Sequence, residues 1–126
     1  MTRDLDLIRL ILFRVEQASD MLHVRDLEDL GQYPLHAIAT HVEWLAEGGL
    51  LTVEYLFEHT AQMAYDGIIL RQTWQGCEFL DAARSEQVWH HAKRLLQNTT
   101  ISASLKTLHI VLEHIVASQL LAEVKI

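Results

Sequence analysis

Eight histidines and a single cysteine are the residues of this 126-residue chain with the most chemistry to offer, and zinc binding is the first chemistry to test. Zinc sites draw their ligands at spacings of two to four residues, or four along a helix, because those steps turn two donors toward one ion. His36 and His41 stand five residues apart, as do His109 and His114. Five helical steps turn a side chain about 140° beyond a full turn, so each pair points two ways. His90 and His91 are adjacent and diverge as well. The spacing predicts surface histidines without a metal, with His109 and Glu113 as an ordinary i,i+4 pair.

Nucleophilic and acid–base chemistry find no better footing. Cys77 lies within an apolar helical turn and is expected to be a small buried hydrophobe. Being the only cysteine, it has no partner for an internal disulfide, which fits a reducing compartment. Glu28 and Asp29 are adjacent acids on a polar stretch, the pattern of a solvated face. Gly48-Gly49 reads as a helix stop and not as a phosphate cradle. The expectation is a protein that is not an enzyme, with no catalytic residues and no cofactor.

The elements that must carry these residues follow from periodicity. Thr2 to Gln17 reads as a first helix capped by Thr2, with Leu5, Ile8, Leu12 and Val15 at helical steps and Arg3, Arg9 and Arg14 mainly on its polar side. Residues 21–33 admit a short helical turn through Val24, Leu27 and Leu30, or a short strand followed by a loop. From Leu35 the helical period returns through Ile38, Val42 and Leu45, and Gly48 and Gly49 supply a left-handed stop. Leu51, Val53 and Tyr55 then alternate as a strand. Asp66-Gly67 is a turn signal, and Ile68 to Gln72 is the returning strand, so the hairpin has a long tip.

Thr73 can cap a helix beginning at Trp74, with Cys77, Leu80 and Asp81 spaced along it. Ser85 re-caps a second helical run, Glu86 to Leu96. A last helix, Ile101 to Leu121, places Leu105, Leu108, Leu112 and Ile115 on one stripe. Two readings of that stripe stand side by side: a homodimer through the C-terminal helix, or core packing against the first helix. The expected fold class is mainly α with a small β-hairpin, a winged helix-turn-helix followed by a long C-terminal helix. The expected division is residues 1–98 as the winged-helix domain and residues 99–126 as the C-terminal helix.

The segments MTRDLDLIRLIL (1–12), HVEWLAEGGLL (41–51) and above all RQTWQGCEFLDAARSEQVW (71–89) carry a resemblance. In the last of these, Thr73, Trp74, Gly76, Glu78, Phe79, Leu80, Asp81, Arg84, Val88 and Trp89 stand in a specific register. The chain resembles the phage- and prophage-associated family called domain of unknown function 2513 over about its first three-quarters. That resemblance implies a winged-helix fold and a frequent home in bacteriophages, and it supplies no enzyme activity or catalytic residues. The chain departs from the pattern at Cys77 and in the helix following Pro34, where His36, Ala39 and Trp44 replace polar and basic positions.

Charge then argues about partners. Ten basic residues against seventeen acidic ones give a net charge of −7, which repels polyanions on average. A winged helix that reads DNA must place Lys and Arg on phosphates. Between Asp26 and Leu70 there is no Lys or Arg, while Glu43, Glu47, Glu54 and Glu58 are all present. The expected function is therefore a non-catalytic acidic protein-binding module, an inhibitor of host nucleic-acid-binding or defence machinery in the manner of anti-CRISPR proteins. His36, Glu43, Trp44, Glu47, Glu54 and Glu58 would meet a basic protein surface. Trp44, beside the apolar face, is either a half-exposed anchor or a core residue, whereas Trp74 and Trp89 are expected to be packing residues. The alternative is a DNA-binding regulator using a noncanonical basic face of Arg71, Arg84, Lys93 and Arg94. No apolar stretch is long enough to span a membrane, and no basic-then-apolar leader opens the chain, so the expected compartment is the bacterial cytoplasm.

Overall fold

α1 (Leu5–Gln17) places Leu7, Ile8, Ile11, Leu12 and Val15 in the core. The three- and four-residue steps between them gather those side chains along one face. In the computed structural model, which describes residues 1–55, 67–98 and 104–124, the helix is capped by Asp4 and not by Thr2. The Asp4 carboxylate accepts the Leu7 N–H at 3.1 Å, and an acid there also meets the positive end of the helix dipole. Arg9 departs from the expected polar side: it is only 6% exposed. Its guanidinium lies 4.8 Å from the Phe13 ring centroid, an arrangement in which the long stem packs while the charge meets a π face.

The described residues form two units, Met1–Cys77 and Glu78–Ile126. In the first, α1 is followed by β1 (Leu22–His23), a 3-10 turn (Val24–Asp29) and α2 (Leu35–Glu47). Both sequence readings of residues 21–33 thus contribute, since the short strand runs directly into the turn. Val24 and Leu27 are buried there, and Arg14 of α1 reaches Asp29 at 2.7 Å.

Pro34 leads into α2, and Gly49 ends it. Leu50 N–H bonds to Leu45 C=O at 2.8 Å and Gly49 N–H to Ala46 C=O at 3.1 Å, the paired bonds of a Schellman stop. Only Gly49 takes the left-handed conformation, at φ 80°, whereas Gly48 remains right-handed at φ −77°. The expectation that both glycines supply the left-handed stop is corrected accordingly.

β2 (Leu51–Tyr55) and β3 (Gly67–Gln72) pair antiparallel, and β1 adds to the far edge of β3, giving the order β1-β3-β2. The small sheet therefore has three strands where the sequence indicated a hairpin. Two residues of β1 suffice to add a strand but are too few to display a period of two. A bulge between Thr52 and Val53 leaves Leu70 without an opposite number. The hairpin tip, including Glu58 and the Asp66 turn signal, lies outside the described residues.

α3 (Trp74–Ala83) begins where Thr73 Oγ1 accepts the Gly76 N–H at 3.0 Å, as expected of its cap. Its buried positions are Gly76, Phe79, Leu80, Ala82 and Ala83. Cys77 and Trp74 therefore fall on the outer face, and Trp74 is 78% exposed. Both expectations of burial are corrected. The reason is that the buried stripe starts at Gly76, a residue with no side chain to announce it.

In the second unit, α4 (Glu86–Gln97) is capped by Ser85, whose hydroxyl accepts the Val88 N–H. It buries Val88, Trp89 and Ala92 against α5 (Leu105–Glu123), which is capped by Ser104. α5 supplies Leu108, Leu112 and Ile115 to this core, and Leu105 is half-buried. Among the described residues, no helix is long and apolar enough to cross a membrane.

Candidate interaction face

The face expected to recognise a partner is built on α2. Its inner side buries Ile38, Ala39, Val42 and Leu45. The 4-3-4 spacing of His36, Thr40, Glu43 and Glu47 sets these residues along the outer side. Thr40 folds its hydroxyl back onto the His36 carbonyl at 2.9 Å. His36 and Glu47 are exposed, while Glu43 and Trp44 are half-buried. Trp44 is neither sunk in the core nor free: its ring meets that of His41 edge-on, with centroids 5.1 Å apart. Holding the indole edge-on against a buried ring restricts its rotamer freedom.

His41 was expected on the surface and is 2% exposed. It lies three residues after Ile38 and four before Leu45, within the apolar stripe. Its Nε2 accepts the Asp4 backbone N–H at 2.8 Å, and its Nδ1 lies 2.7 Å from the Ala37 carbonyl oxygen. An amide N–H can only donate, so Nε2 carries no proton and Nδ1–H donates to Ala37. The imidazole thereby ties the N-terminus of α1 to α2. Replacing His41 by alanine strands the Asp4 N–H and leaves a cavity. The expected loss is about 2–3 kcal/mol in urea denaturation, and nitrogen NMR of the native protein should show the proton on Nδ1.

Behind the acids stands Tyr55, at the end of β2. Burial of its phenol, reinforced by the nearby Glu43 and Glu47 carboxylates, pushes its pKa from 10.0 up to about 12. Its Oη is buried and has no hydrogen-bond partner among the described residues. Because the fold favours the neutral phenol, the stability this group contributes is intact below pH 10 and is lost as pH rises from 10 to 12. Ultraviolet titration should show the Tyr55 phenol ionising near pH 12. That late step should vanish in Tyr55→Phe and move down, without becoming ordinary, when Glu43 and Glu47 are both made glutamine.

The structure brings Glu43, Glu47 and Tyr55 together but separates Glu54 from them. Successive residues of a strand point to opposite sides, so Glu54, exposed and next to Tyr55, turns to the other face of the sheet. Of the alternative basic residues, Arg71 belongs to the first unit and Arg84, Lys93 and Arg94 to the second. Arg71 donates to the Gln72 carbonyl at 3.2 Å, and Arg84 is paired with Asp81 at 2.9 Å. Lys93 is half-buried, while Arg94 borders a shallow groove shared with Glu86, Gln87, His90, His91 and Gln119. Glu86 lies 3.2 Å from His90 Nε2, which offsets positive charge in that groove.

Among the described residues, no three His, Cys, Asp or Glu side chains gather as a metal site would require. His109 Nε2 approaches Glu113 Oε1 to 2.7 Å, as the i,i+4 spacing predicts. The ring also packs edge-on against Phe79, with centroids 5.4 Å apart.

The profile of the DUF2513 family, described as hypothetical protein, matches residues 2–102. The chain belongs to this family. The match begins before α1 and extends beyond α4, so it includes α2, the sheet and the distinctive 71–89 segment on which the resemblance rested. An uncharacterized protein of Haemophilus influenzae (strain ATCC 51907 / DSM 11121 / KW20 / Rd) is 28% identical over 122 residues, covering 97% of this chain and 100% of the relative. That similarity reaches into α5, beyond the family match. No solved structure matches the chain.

Proposed function

We propose that this DUF2513 protein is a non-catalytic, acidic protein-binding module of phage or prophage type. On this reading it inhibits host nucleic-acid-binding or defence machinery, in an anti-CRISPR-like manner, by occupying a basic protein surface. The frame is a winged helix-turn-helix, with α2 in the position of the reading helix and β2–β3 as the wing. What supports that frame is the order helix, strand, turn, helix and two-stranded hairpin. The observation carrying the functional reading is the outer side of α2, where Glu43 and Glu47 stand beside a half-buried Trp44 with no Lys or Arg on the helix. A surface of this sign repels phosphate and attracts the basic channel that ordinarily holds it.

The test is competition for labelled duplex DNA bound to a host CRISPR surveillance complex, read by fluorescence anisotropy. The wild-type chain should displace the duplex, and Glu43→Lys/Glu47→Lys should weaken displacement by about 10- to 100-fold. Glu54→Lys should have a smaller effect, because that side chain leaves the opposite sheet face. Displacement that survives the double reversal would remove α2 from the interface. Tight, salt-sensitive binding of random duplex to the chain alone would instead favour the regulator reading through Arg71, Arg84, Lys93 and Arg94.

A further inference from the structure

α5 is apolar on two sides, and its own core uses only one. Leu108, Leu112 and Ile115 are buried, yet Ile110, Leu120, Leu121 and Val124 are 60–70% exposed. The outward residues are not scattered. Thr107, Ile110, His114, Ala117 and Leu121 are all exposed and follow one another at steps of three, four, three and four, and the exposed Val124 is the extended C-cap beyond them. That is the a/d spacing of a coiled-coil seam, spanning about 21 Å from Thr107 to Leu121 at 1.5 Å per residue.

We propose that this stripe pairs antiparallel with the same stripe of a second copy of the chain. The heptad spacing selects a helix as the occupant, and the sequence of the seam selects this helix. About a two-fold axis between Ile115 and Val116, Ile110 meets Leu121 of the other copy and His114 meets Ala117. Each pair combines aliphatic with aliphatic or large with small. A parallel seam would instead set His114 against His114 and leave facing alanines beside it. The isologous contact closes on itself, so association stops at the dimer.

Charge points the same way. The chain carries −7 in total, but the seam contains no Asp, Glu, Lys or Arg, and α5 bears only Lys106, Glu113 and Glu123. A strongly basic or acidic partner would find little here to pair with. Two copies that repel each other elsewhere can approach along this helix. A seam of just over two heptads is small beside a standard interface, and the expected dissociation constant is in the micromolar range.

Sedimentation velocity of the full chain from 1 to 200 μM, roughly the range a small seam requires, should show a monomer–dimer equilibrium. Ile110→Glu/Leu121→Glu should raise its dissociation constant about 100-fold. Helical content should remain native, because both side chains are exposed. Cysteine cross-linking in a Cys77→Ser background tests the orientation without adding charge. Ile110→Cys/Leu121→Cys should give a covalent dimer, whereas each single variant should not, since like positions lie about 16 Å apart along an antiparallel pair. A monomer at every concentration, dimerisation undiminished by the glutamates, or cross-linking of either single variant would overturn the proposal.

Discussion

Gly76→Ala is expected to destabilise the first unit by about 3 kcal/mol or more, although alanine is ordinarily the better helix former by about 1 kcal/mol. A β-carbon at Gly76 would lie 2.2 Å from the Leu50 carbonyl oxygen and 3.1 Å from its carbon. That carbonyl cannot easily retreat, because it accepts the Thr73 N–H at 3.0 Å just ahead of α3. The hydrogen bond and the missing side chain together let the first turn of α3 sit against the Leu50 backbone, between α2 and β2. Urea denaturation of the variant beside wild type measures the effect. A neutral or stabilising alanine would mean that the two backbones do not approach as described.

Trp89→Ala should cost about 3–5 kcal/mol, the usual range for emptying a large aromatic site. Trp89 is buried in α4, whose neighbours Val88 and Ala92 pack with Leu108, Leu112 and Ile115 of α5 in the core of the second unit. A 12-residue helix such as α4 does not hold itself helical in water without such packing. The expected result is an early loss of helical circular dichroism in urea, with Trp89→Phe recovering much of the difference. A penalty below about 1 kcal/mol would show that the indole is not central to this core.

These two positions also mark how legible the chain was. Trp89 announces itself as a large aromatic on a periodic apolar face. Gly76 is silent, because hydrophobic periodicity counts side chains and a glycine contributes none. Reading α3 without it shifted the buried stripe by one residue, placing Cys77 inside when the helix places it outside. His41 failed for the opposite reason: its position on the α2 stripe was visible, but its polar type suggested solvent. Only the Asp4 N–H and the Ala37 carbonyl, one from a distant part of the chain, satisfy both ring nitrogens and make its burial favourable. The last helix was legible as apolar, but periodicity could not divide its surplus between two sides. Leu108, Leu112 and Ile115 belong to the core with α4, and Ile110, Leu121 and Val124 face outward.

The sequence by itself determined the helices, their caps at Thr73 and Ser85, the glycine stop after α2, the family, and the absence of Lys and Arg between Asp26 and Leu70. Those are properties of neighbouring residues and of composition, which local hydrogen bonding and side-chain period express directly. Tertiary structure alone decided that Glu43 and Glu47 crowd Tyr55, that Glu54 leaves by the other face, and that β1 completes the sheet. Each depends on residues far apart in the chain meeting in space, and the energy of such a meeting has no signature in local sequence.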